Sequence, residues 1–268
     1  MKSRLLLAFI LLVGTVSLLL AHDLFLKFDS YFLEPNVRVR IPVLNGTFTA
    51  SEADVARDRI VDISLVTPTG RVRIDTVAWS GQNDTSFLAL ETRAAGTYVV
   101  GVSTRTSDFA LDAESFNRYL EHDGIPDVLE ARRRDGELDR DVVERYAKHV
   151  KAVFQVGSAH SDGFITTLGY PAEIVPLDNP YALHAGAELR VRCLVDGQPA
   201  VNQLVIAGGE GPDGMMAERE MRTDAEGIAR LVLDAPGTWY VKFINMTHSD
   251  AEGIDYESKW ATLTFAVR

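Results

Sequence analysis

Apolar and polar residues alternate along the N-terminal part of the chain, beginning near residue 22. Alternation with a period of two is typical of β-strands that bury one face. Strands are predicted at residues 24–28, 37–43, 60–66, 71–77, 86–90 and 97–103. Turn-forming pairs such as Asn45-Gly46 and Ala95-Gly96 separate these strands. Short strands divided by turns, with no helical period, predict a β-sandwich over residues 22–107.

The apolar spacing becomes helical between residues 108 and 156. A first helix is predicted to include Leu120 and to end at Gly124, and Pro126 suits the start of a second. Asp139 is a candidate N-cap for a third helix. The apolar face of that third helix would consist of Val142, Val143, Tyr146, Val150 and Val153. The pattern therefore predicts a helical insertion over residues 108–156.

The strand pattern returns over residues 157–268. Strands are predicted at residues 172–176, 188–195, 203–207, 228–233, 238–245 and 259–267. The glycine-rich segment 208–214 is predicted to be a loop. Residues 86–100 and 228–241 share a pattern in which a strand ends, a Gly-Thr turn follows and an aromatic residue opens the next strand. We therefore expect a mainly β chain with two related sandwich modules joined by the helical insertion.

The N-terminus has the features of an export signal. Basic residues lie within the first four positions, and an apolar run extends from Leu5 to Leu20. Ala21 is a small residue at the end of this run, so residues 1–21 are predicted to be a cleaved signal peptide. An uncleaved anchor is the alternative. The prediction is a periplasmic or secreted protein with no stable membrane insertion after cleavage.

Composition and charge narrow the classes of function further. The chain has 268 residues, 46% of them hydrophobic, and a net charge of −11. Such an acidic chain is a poor partner for a phosphate backbone, so nucleic-acid binding is not expected. Cys193 is the only cysteine and lies in an alternating stretch. We expect it to be a core residue and not a nucleophile.

His22 is the strongest candidate for a metal ligand. Cleavage after Ala21 would give His22 a free α-amine, and the amine and a ring nitrogen can then chelate one metal ion. Asp23 could add an oxygen ligand or restrain the ring. His248 is the first candidate for a partner histidine, and His149 on the predicted third helix is the second. The other histidines, His122, His160 and His184, lie in predicted turns and are expected to be solvated.

Several motifs of the mature chain resemble those of the exported bacterial DUF4198 family. They are Ala21-His22-Asp23, residues 146–154, residues 168–176, Asn179-Pro180-Tyr181, residues 186–189, residues 195–199, residues 223–227 and Gly237-Thr238-Trp239. The resemblance implies a periplasmic protein with immunoglobulin-like or peptidase-regulatory-like β-sandwich modules. It also implies an association with nickel or cobalt uptake, and thus a metal ion or a metal-transport component as partner. The matching residues are mostly turn glycines, prolines and core aromatics, so no catalytic role is carried over.

The predicted function is an exported, non-catalytic binding protein for nickel, cobalt or copper, with a metal site formed by His22, His248 and Asp23. No sequence pattern of a hydrolase elbow, a phosphate loop or a dinucleotide fold is present. Neither catalytic nor organic-cofactor residues are predicted. An adhesion or scaffold protein that presents its loops to a glycan or protein is the alternative, and an oxidative copper enzyme with an N-terminal histidine is a third class.

Overall fold

The computed structural model describes residues 22–268, so the predicted signal peptide lies outside the described residues. The strands are β1 (Asp23–Leu26), β2 (Phe32–Leu33), β3 (Arg38–Gly46), β4 (Ile60–Thr67), β5 (Gly70–Arg73), β6 (Trp79–Gln82), β7 (Thr85–Glu91), β8 (Gly96–Thr104), β9 (Ser107–Leu111), β10 (Val142–Val156), β11 (Ala172–Pro176), β12 (Glu188–Val195), β13 (Gln198–Pro199), β14 (Leu204–Gly211), β15 (Gly214–Arg222), β16 (Ile228–Val232), β17 (Gly237–His248) and β18 (Tyr256–Val267). The α-helices are α1 (Ala113–His122) and α2 (Pro126–Asp135). The expectation of a mainly β chain is confirmed.

The strands form three sheets. A ten-stranded sheet has the order β15-β14-β17-β18-β10-β8-β4-β5, and β2 and β9 also pair with β10. One four-stranded sheet has the order β1-β3-β7-β6, and the other is built on β12, which pairs with β11, β13 and β16. Neighbouring strands are antiparallel except for β10, which runs parallel to β18 and β2. The large sheet thus joins strands from both ends of the chain.

Strand β10 corrects the prediction of a third helix. Val142–Val156 is a 15-residue strand at the centre of the large sheet, and nearly all of it is buried. Its even-numbered residues Val150, Ala152 and Phe154 lie in one core, while Val153 lies in another. A strand covered on both faces loses the simple polar–apolar alternation, so its apolar residues fell at helical spacing by coincidence.

Two large cores flank β10. One contains buried side chains mainly from β1, β3, β4, β7 and β8. The other contains side chains mainly from β11, β12, β16, β17 and β18, and includes Cys193, which is fully buried as predicted. Burial raises the pKa of the Cys193 thiol, so it stays protonated in the core.

The two predicted shorter helices are confirmed. Asp112 caps α1 by accepting a hydrogen bond from the Ser115 backbone N–H at 2.7 Å. Pro126 occupies the first turn of α2, and Gly136 ends it in the left-handed conformation at φ 74°. Within residues 22–268, neither helix is long and apolar enough to cross a membrane.

One local prediction is wrong, and one charged residue is buried. The glycine-rich segment predicted as a loop belongs largely to the β14–β15 hairpin, where Gly209 lies opposite Trp239. Arg132 of α2 is a charged side chain that is only 1% exposed. Its guanidinium donates to Asn117 and to the carbonyls of Glu137 and Arg140, which replace part of its lost hydration, while Nη1 has no partner among the described residues.

Candidate functional site: two cavities that meet at His22

His22 is held against the large sheet by the strand that follows it. Strand β1 pairs with β3, and its Leu24 carbonyl accepts a hydrogen bond from Thr262 of β18 at 2.7 Å. The His22 carbonyl itself accepts a hydrogen bond from the ammonium of Lys148. Lys148 also donates to Asn45 of β3 at 3.0 Å. The sequence around His22 therefore folds as a buried strand, and the His22 side chain is left at its end, partly exposed.

Two cavities open on either side of His22. We call the first the aromatic cavity; its volume is about 470 Å³. Its lining includes Arg59, Phe109, Tyr119, Glu144, Tyr146, Lys148 and Trp260. We call the second the histidine cavity; its volume is about 560 Å³. Its lining includes Asp23, Glu52, His122, Asp123, Met215, Glu218 and Lys242. His22 lines both, so one residue can respond to a ligand in either cavity.

The His22 ring has a carboxylate partner. Its Nε2 lies 3.0 Å from Oε2 of Glu52, on the segment after β3. A carboxylate is only an acceptor, so this contact favours the tautomer with the ring proton on Nε2. In that tautomer Nδ1 is the basic nitrogen of the ring.

Asp23 faces a different partner from the one predicted. Its Oδ2 lies 2.6 Å from Nζ of Lys242, and both side chains are about nine-tenths buried. Lys242 also lies 3.9 Å from Glu218. A carboxylate already engaged by a buried ammonium is a weak metal ligand, because removing it would leave the lysine charge unpaired.

The histidine cavity is rich in carboxylates. Burial, together with the negative charges of Asp23 and Glu144, raises the pKa of Asp123 to about 7. One carboxylate oxygen of Asp123 is buried and has no hydrogen-bond partner among the described residues. A proton on Asp123 or a cation in the cavity would reduce the repulsion between these carboxylates.

The aromatic cavity contains a buried ammonium and a buried carboxyl group. Burial lowers the pKa of Lys148 to about 8. Burial also raises the pKa of Glu144, whose Oε1 accepts hydrogen bonds from Tyr119 and Ser258. The hydroxyl donors partly offset the cost of burying the Glu144 carboxyl.

The structure does not bring His248 to His22. His248 is exposed at the end of β17, its ring 4.4 Å from that of Tyr256, and it lines a separate small cavity. His149 is 2% exposed, and its Nδ1 lies 2.9 Å from the Ser103 hydroxyl. Among residues 22–268, no group of three histidine, cysteine, aspartate or glutamate side chains is placed to hold a metal ion.

Sequence reasoning missed most of the residues that line the two cavities. Glu144, Tyr146 and Lys148 alternate along β10, which was predicted as a helix. Had it been interpreted as a strand, the period of two would have placed all three on one face. Glu52, Lys242 and His122 carry no local signal, because only the tertiary fold brings them near His22.

The comparisons with known proteins bear on family and fold. The model of a family described as "Domain of unknown function (DUF4198)" matches residues 19–247. No curated protein matches the sequence significantly. The crystal structure of a tetra-tandem repeat in the extending region of a large adhesion protein is similar at 15% identity and a TM-score of 0.26. That alignment covers 92% of this chain but 50% of the other chain, and a TM-score this low gives no basis for transferring a function.

Proposed function

This chain belongs to the DUF4198 family, and we propose that it is an exported, non-catalytic binding protein that holds a divalent transition metal through His22 as the first residue of the mature chain. The observation that carries the proposal is the 3.0 Å approach of His22 Nε2 to Glu52 at the junction of the two cavities. Copper, nickel and cobalt are the candidate metals, because imidazole and amine nitrogens suit all three.

The chemistry of the donor set fits such a metal. With Nε2 facing Glu52, the free nitrogen of the ring is Nδ1, which is separated from the α-amine by fewer bonds than Nε2. The two nitrogens of one residue would chelate the ion in a single ring. A carboxylate that accepts from the far nitrogen of a metal-binding histidine orients the ring and raises its basicity.

The partner expected from the sequence is replaced in this proposal. His248 has no role in it, Glu52 orients the His22 ring, and Asp23 contributes through its ion pair with Lys242, which anchors β1 directly after His22. His122 and Asp123 line the same cavity and are candidates for completing the coordination. The role is capture or delivery of the metal, with a component of a metal-transport system as partner.

We also propose an arrangement for the two β regions. We infer that they are two immunoglobulin-like modules in the periplasm or outside the cell, joined by the segment that carries α1, α2 and β10. The separate cores on either side of β10 support this arrangement.

Three proteins test the metal site. The first is the mature chain beginning at His22, the second is His22→Ala, and the third is the mature chain with one methionine added before His22. The extra residue keeps the imidazole and removes the chelating amine. Titration calorimetry with Cu(II) and Ni(II) should give a clearly weaker affinity for both altered proteins. Glu52→Ala should weaken binding by about 10- to 100-fold, because the ring loses its orienting acceptor.

His184→Ala is the matched control, since His184 is exposed and lines neither cavity. Its affinity should equal that of the wild type. N-terminal sequencing of the exported protein should begin at His22. Equal metal affinities for the mature chain and the methionine-extended chain would overturn the proposal and leave the adhesion or scaffold alternative.

A further inference from the structure

The floor of the aromatic cavity is built by the two central parallel strands. Glu144, Tyr146 and Lys148 share one face of β10, and Trp260 of β18 lies in register beside Lys148. The indole N–H of Trp260 donates to Ser258 at 2.9 Å, which fixes the plane of the ring. A floor on paired strands is rigid, which favours a preformed binding site.

Several aromatic rings line the cavity. Tyr119 of α1 stacks on Trp260, with ring centroids 5.9 Å apart and an interplanar angle of 8°. Phe109 of β9 lines the cavity as well. At about 470 Å³ the cavity has the size and apolar character of a small-molecule site.

Two cations face this cavity with unused hydrogen-bonding capacity. The Nε of Arg59 is buried and has no partner among the described residues, while its Nη atoms contact Tyr146 and the Arg105 carbonyl. Lys148 is 9% exposed and donates to His22 and Asn45, so one of its three ammonium hydrogens is uncommitted. Buried donors without acceptors are rare in native structures and point to an acceptor that arrives with a ligand.

Among the described residues, no carboxyl group of the cavity forms a hydrogen bond with Arg59 or Lys148, although the charge of Glu144 attracts the Lys148 ammonium. Glu144 accepts from Tyr119 at 3.1 Å and from Ser258. Asp54 and Asp58 are exposed at the rim. Acidic groups at the mouth disfavour ligands that carry several negative charges.

We propose that the aromatic cavity binds a small organic monoanion with a flat apolar body, such as an aromatic carboxylate, its anionic group held by Arg59 and Lys148 and its body packed against Tyr119, Tyr146 and Trp260. This site is separate from the proposed metal site and needs no metal. It gives the protein a second ligand class, with His22 lying between the two.

Three probes with one skeleton test the charge requirement. They are 3-phenylpropionate, 3-phenylpropan-1-ol and 3-phenylpropylamine, titrated by calorimetry into the metal-free mature protein. The carboxylate should bind with an affinity in the millimolar range or tighter, the alcohol at least tenfold more weakly, and the amine not at all. Quenching of Trp260 fluorescence should accompany binding and disappear in Trp260→Phe, while the calorimetric signal persists.

Arg59→Gln should weaken binding of the carboxylate by about 10- to 100-fold, since a charge-assisted hydrogen bond is lost. Arg57→Gln is the matched control: it removes the same charge from the same short turn, and Arg57 donates to the Trp79 carbonyl outside the cavity. This control should bind as the wild type does. Far-ultraviolet circular dichroism of both variants checks that the fold is intact.

Equal binding of the carboxylate and the amine, no binding of the carboxylate, or equal affinities for Arg59→Gln and the wild type would each overturn the inference. Glu52→Ala separates the two proposals, because Glu52 lines the histidine cavity and not the aromatic cavity. Weaker metal binding with unchanged carboxylate binding would support both proposals. Unchanged metal binding with unchanged carboxylate binding would remove the metal site and leave the organic-anion site.

Discussion

Single residues in this protein are defined by the partners that the fold gives them. His22 faces Glu52, Asp23 faces Lys242 and His149 faces Ser103. Asp23 and His149 are buried, and there a lost partner costs more than at the surface. The chemistry of the site therefore depends on side chains that lie far apart in the sequence.

His149 should make stability depend on acid pH. Burial lowers the pKa of His149 to about 4, from an ordinary value of 6.5. Between these values the unfolded chain binds a proton on His149 that the native protein excludes. The contribution of His149 to the free energy of unfolding is therefore fully present above about pH 6.5 and is lost as the pH falls towards 4. The loss over this window should be of the order of 3 kcal/mol. Urea unfolding at a series of pH values measures it.

His149→Gln should flatten that profile, since the amide does not titrate. His184→Gln, at an exposed position, should keep the slope of the wild type. If His149→Gln kept the wild-type dependence of stability on pH, the loss of stability at acid pH would come from other groups.

At the scale of elements, β10 is the decisive strand. It pairs with β8, β9, β18 and β2 and carries the charged residues Lys148 and Lys151 into the interior. Those charges resemble the polar face of a helix in the sequence. In the structure each has a partner on a neighbouring segment, and Lys151 lies 2.8 Å from Glu173 with both side chains 2% exposed.

Lys151→Met should destabilise the protein by about 3–5 kcal/mol, because the Glu173 charge would remain buried without its counter-ion. The double variant Lys151→Met, Glu173→Gln should cost less than the sum of the single changes. Chemical denaturation measures all three.

The exposed pair of Arg230 and Glu188, also between neighbouring strands, is the control. Arg230→Met should cost less than about 1 kcal/mol. Similar losses of stability in Lys151→Met and Arg230→Met would show that burial does not increase the cost of removing one charge from the pair.

At the scale of the whole molecule, one sheet connects two cores. Both cores pack on β10 and β18, so neither keeps its central strands if the other unfolds. We expect a single unfolding transition in calorimetry, with equal calorimetric and van't Hoff enthalpies.

Leu88→Ala in the N-terminal core and Leu231→Ala in the C-terminal core should each lower that one transition, at a cost of about 2–5 kcal/mol. Both leucines are almost fully buried, which makes the two changes comparable. Two transitions, each shifted by only one of the variants, would contradict cooperative unfolding of the two cores through the shared sheet.

Local pattern determined much of this protein. Alternation located most of the longer strands, cap and turn residues located α1 and α2, and the motifs identified the family, because these signals act over a few neighbouring residues. Tertiary structure alone decided that β10 is a strand and that His22 meets Glu52 and not His248. Both outcomes depend on contacts between distant segments, such as the pairing of Lys148 with Trp260, which periodicity does not encode. The same long-range packing placed Arg59, Lys148 and Trp260 around one cavity.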